Sequence, residues 1–143
     1  MNQSIELLQN VVKAARTGAG AIQLLMDKTD DTALRQSLFD EKTRYQQVET
    51  DASQRLMQLG GKARPESIAA RTGLRMGVGL NTLADRSSSR LADLLIRGNS
   101  MGIVSLTRAK NACADADPES VSLCDRMLRL QHDSIERAKS FLN

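Results

Sequence analysis

Between Thr32 and Leu59 an apolar side chain returns at helical steps: Leu34, Leu38, Tyr45, Val48, Ala52, Leu56 and Leu59. A helix of 3.6 residues per turn puts such a set on one side, whereas a strand would require strict alternation. The same step recurs three more times. Ile5, Leu8, Val12, Ala15, Ala19, Ile22 and Met26 mark a first helix, and Leu91, Leu95, Gly98, Met101 or Gly102, Ser105, Ala109 and Ala112 mark another. Val121, Cys124, Leu128, Gln131, Ile135, Ala138 and Leu142 mark the last. The reading is all-α. Composition agrees, since aromatic residues make up only 2% of the chain and Trp is absent, which starves a sheet of its preferred residues.

The signals between these stretches set the helix ends. Ser4 is the expected N-cap of the first helix, and Thr29 with Asp30 and Asp31 suits a turn and the next cap. Gly60-Gly61 closes the second helix, where the chain turns left-handed past a C-terminus, and Pro65 confirms the stop. The third helix starts in Ser87-Ser88-Ser89 and runs to about Ala114. Asp117 and Pro118 then fit the N-cap and first position of the fourth. Residues 62–87 form the single long connection, with Ile68, Leu74, Met76, Leu80 and Leu83 suggesting one short extra helix. Two hairpins with short turns and one long crossover describe an antiparallel four-helix bundle of the ferritin-like kind, in which the second and third helices run parallel. The 143 residues suffice for one domain, 1–143.

Charge and composition exclude several functions. Hydrophobic residues at 41% and charged residues at 26% are ordinary globular usage, which excludes disorder. A net charge of +3 is too small to specify a nucleic-acid partner unless gathered on one face. Arg64, Arg71, Arg75, Arg86 and Arg90 are the candidates for such a basic surface, and solvated charge beside a packed apolar side is the simpler role. No stretch approaches the roughly eighteen apolar residues of a membrane span, and the first residues do not read as a signal peptide. The expected location is cytoplasmic.

The order and spacing of Leu59-Gly60-Gly61 with Pro65, Arg97-Gly98, and His132-Asp133 followed by Ile135 resemble the ferritin-like bundles catalogued as domain of unknown function 2383, distant relatives of rubrerythrin and bacterioferritin. The resemblance covers nearly the whole chain and implies the fold more than any activity. A ferritin-like dimetal site takes Glu from two helices and Glu-x-x-His from the other two. Here Glu41 lies on the inward stripe, but Arg44 stands where the His belongs; His132 is present, but Arg129 stands where the Glu belongs. The first helix offers Arg16-Thr17-Gly18-Ala19, and the third offers Asn99-Ser100. Such a ligand set cannot neutralise two divalent cations.

The expectation is therefore a non-catalytic structural or interaction protein with no cofactor, self-associating as a dimer, with Met57, Met76 and Met101 as candidate contacts. The alternative is a degenerate metal or redox protein holding one weak ion near Glu41 and His132. For Glu41 the plainer role is a buried polar network with Arg44, Tyr45 and Gln131 that fixes helix register. For His132 it is a hydrogen bond at the helix flank. Cys113 and Cys124 flank the last turn and read as small buried hydrophobes, although a disulfide is geometrically conceivable.

Overall fold

Four capped helices account for the fold. The computed structural model describes residues 2–65 and 85–143. They form α1 (Gln3–Lys28), α2 (Thr32–Gln58), α3 (Ser88–Ala112) and α4 (Pro118–Lys139). The short extra helix expected within 62–87 falls almost wholly outside the described residues, as do Arg71, Arg75 and Met76.

Each helix begins with a side chain that takes up a free backbone amide. Asp31 accepts from Ala33 and Leu34, Ser87 from Arg90, and Asp117 from Ser120. The first cap corrects the sequence reading: Asn2, not Ser4, accepts from the Ile5 amide. Ser4 lies inside the first turn, where its hydroxyl accepts from the Asp117 amide at 2.8 Å and ties α1 to the start of α4. α2 ends in a Schellman turn. The Gly61 amide donates to Leu56 and the Gly60 amide to Met57, with Gly60 at φ +79, where a Cβ would strain the backbone.

Contacts at the two ends fix the helix directions. Ser88 donates to Asp31 in the α1–α2 turn, and the Asn143 amide donates to Ser89. At the other end, Gln3 accepts from the Asp115 amide, and Arg55 near the end of α2 reaches Asp117. α2 therefore finishes at one end and α3 starts at the other, so the two run parallel, as expected. α1 packs against α2, α3 and α4, and α4 also packs against α2.

The core is one cluster fed by all four helices. α2 buries Leu34, Leu38, Glu41, Tyr45, Val48, Ala52 and Leu56, almost residue for residue the expected stripe. α1 buries a wider face, adding Leu7, Val11 and Leu25, because three neighbours cover it. α4 turns its seam slightly, burying Leu123, Met127 and Ser134 while Leu142 stays exposed. α3 departs most. It buries Leu91, Ala92, Leu95, Asn99 and Leu106, whereas Gly98, Met101, Ser105 and Ala112 of the expected face are exposed. The inward step after Leu95 is four residues to Asn99, not three to Gly98. A polar residue carries the stripe there.

Candidate functional site

The middle of the bundle is polar, and α2 opens the description. Glu41 and Tyr45 lie one turn apart on its buried stripe. The Tyr45 hydroxyl donates to Asn99 Oδ1 at 2.8 Å, reaching across the bundle from α2 to α3. Asn99 Nδ2 donates to Ser134 Oγ at 2.9 Å and to the Leu95 carbonyl at 3.1 Å. Three helices are thus joined by a short chain of buried hydrogen bonds. Such a chain fixes register, since sliding any helix would leave a buried polar group bare.

Tyr45 can take this place because Gly18 of α1 has no side chain. A Cβ at Gly18 would stand 2.5 Å from the Tyr45 ring. Burial pushes the phenol well above its ordinary pKa, with Ser134 acting in the opposite direction, so the hydroxyl stays protonated and donates.

Glu41 is only 3% exposed. Its Oε2 accepts from Ser37 at 3.3 Å, and its Oε1 has no partner. Burial raises its pKa above the ordinary carboxylate value; the hydroxyls of Ser134 and Ser37 and the charges of Arg137 and Arg44 partly offset this. Arg44 itself is exposed and makes no hydrogen bond to Glu41 among the described residues. Gln131 is buried, yet its amide makes no hydrogen bond to Glu41 or Tyr45, and its Oε1 has no partner. Of the four residues expected to form the network, the structure brings Glu41 and Tyr45 to one place, leaves Gln131 beside it unbonded, and turns Arg44 outward. Asn99 and Ser134 complete the network instead. Asn99 was legible as the fourth residue after Leu95, and Ser134 as the third after Gln131, but both positions read as polar.

His132 lies on the exposed side of α4. Among the described residues no three of His, Cys, Asp or Glu come together as a metal ion would require. Cys113 and Cys124 are buried free thiols, the second pushed up to about 11 by burial, which leaves both poorly nucleophilic at neutral pH. Arg64 and Arg86 are exposed at opposite ends of the bundle, and Arg90 pairs with Asp93 at 2.8 Å.

The second feature is a groove between α1 and α3. Small residues wall it: Ala14, Gly18 and Ala21 on one side, Gly98, Gly102 and Ser105 on the other. It encloses about 360 Å³, at the small end of the range typical of ligand pockets. Ile22, Leu25, Leu94 and Leu95 make one end apolar; Asn10, Lys13 and Thr17 make the other polar. A shallower hollow holding Arg64 and Arg108 shares Asn10, Met101 and Ser105 with it and continues the polar end. Gln131 lines the groove from α4. A Cβ at Gly102 would stand 2.7 Å from its Nε2, so the absence of a side chain there lets the amide reach the groove.

No family model, no curated protein and no solved structure matches this chain. Among the described residues, no helix is long and apolar enough to cross a membrane. The class defined by the fold is an all-α four-helix bundle with a polar centre and an open α1/α3 seam.

Proposed function

We propose that this chain is a non-catalytic, cytoplasmic bundle that works through its shape and exterior. In this reading it follows the ferritin-like plan of the domain of unknown function 2383 proteins without their relatives' dimetal centre. The observation that carries the reading is the Tyr45–Asn99–Ser134 chain. These side chains satisfy one another in the space between the long helices where a ferritin-like centre would gather its ligands. Self-association as a dimer belongs to the same reading, with Met57 and Met101, each 74% exposed, as its candidate contacts.

One observation favours the alternative of a single weakly held ion: the buried, unpartnered Oε1 of Glu41. Against it stand the exposed position of His132 and the positive charge of Arg137 near the carboxylate. Metal analysis of protein purified without chelators separates the two readings. The expected result is no stoichiometric iron, manganese or zinc. Stoichiometric metal that disappears in Glu41→Ala, with the helical content unchanged, would overturn the proposal in favour of the alternative.

A further inference from the structure

The α1/α3 groove carries an inference independent of the question of metal. Gln131 is 3% exposed, lines the groove, and makes no hydrogen bond among the described residues. Its Oε1 is buried without a partner, while its Nε2 stands at the groove wall beside Gly102 with no acceptor among the described residues, so it can donate to an occupant. The groove is also polarised along its length. From Thr17 to Leu25 the α1 wall becomes apolar over about 12 Å at 1.5 Å per residue. In the other direction lie Lys13 and, in the adjoining hollow that Glu6 also lines, Arg108; neither cation makes an ion pair among the described residues. An apolar slot with an amide donor at its middle and a lysine beyond it suits an apolar chain that ends in an anion.

We propose that this groove binds a free single-chain carboxylate, a medium-chain fatty acid. Its tail lies toward Leu25 and Leu94, and its carboxylate accepts from Gln131 Nε2 and faces Lys13. The volume of about 360 Å³ is ample for one such chain. Gly98 and Gly102 are the specificity elements, since any side chain there would narrow the slot.

The test is a calorimetric titration of the full chain with decanoate, with decanol as the neutral comparison. One saturable site is expected. Gly98→Leu removes it by filling the slot; a Cβ there meets nothing within 4 Å, and unchanged helical content by circular dichroism is the control that the variant is folded. Gln131→Leu weakens decanoate roughly tenfold to hundredfold, the range of a hydrogen bond to a charged group, and decanol by about tenfold or less, the range of a neutral one. The same variant is at least as stable as the parent, because it loses a polar group that had no partner. Absence of saturable binding overturns the proposal, as does binding indifferent to Gly98→Leu. If decanoate fails to bind and Gly98→Leu lowers stability, the slot is filled by protein. Solution mass then tells a second copy, lost in the variant, from residues 66–84 of the same chain.

Discussion

The seam between α1 and α2 and the seam between α1 and α3 use the same device, a glycine, to opposite ends. At the first, Gly18 makes room for the Tyr45 ring, and the space is filled. At the second, Gly98 faces nothing within 4 Å, and the space stays open. The lesson is that a helical glycine carries no fixed meaning. What lies across from it decides whether the missing side chain gives close packing or a slot.

Four substitutions would break or sharpen that contrast. The largest effect is expected of Tyr45→Ala, which empties the closed seam and leaves Asn99 Oδ1 without its donor. A loss of about 3–5 kcal/mol in chemical denaturation is the size for a buried aromatic. A loss below 1 kcal/mol would mean that the centre is not packed as described. Next comes the glycine pair. Gly18→Ala overpacks against a ring that is itself held on all sides and costs about 1–3 kcal/mol, whereas Gly98→Ala gains up to about 1 kcal/mol from helix propensity alone. Equal effects of the same sign at the two sites would erase the contrast.

The smallest effect concerns pH. Burial raises the pKa of Glu41 in the folded protein above its ordinary 4.5, so the fold favours the protonated form. Its contribution to stability is complete below that ordinary value and is lost as pH rises through the folded value. Glu41→Gln imitates the protonated state. It should raise stability by about 1 kcal/mol at pH 8 and leave it unchanged at pH 4, read from thermal melts at the two values. A variant less stable than the parent at pH 8 would mean that the charge at Glu41 is wanted, which is what a bound cation would require.

The sequence revealed these regions unevenly, for a physical reason. α2 was legible because its buried stripe is carried by large apolar residues at regular steps from Leu34 to Leu56, with Glu41 the single polar member. The caps at Asp31, Ser87 and Asp117 were legible because capping is a local matter of side-chain reach. α3 was read one step out of phase, since its inward position is held by Asn99 while Met101 and Val104 face outward. Apolar periodicity has no way to find a buried amide whose partners, Tyr45 and Ser134, come from helices distant in sequence. Ser4 misled for a similar reason: its hydroxyl serves a backbone amide 113 residues away, not its own helix. The Glu41–Tyr45 pair was visible as an acid and a phenol on one stripe. The identity of their neighbours was not, because it depends on how the two hairpins dock.

That contact between Ser4 and Asp117 also bears on how the molecule assembles. Each hairpin can close on itself through neighbouring residues, but Ser4 and Asp117 meet only after everything between them has been gathered in. Joining points so far apart carries a loop-closure cost that is recovered only at the last step. The hairpins are therefore expected first and the bridge from the first turn of α1 to the start of α4 among the last bonds, so Ser4→Ala should speed unfolding and leave the folding rate unchanged.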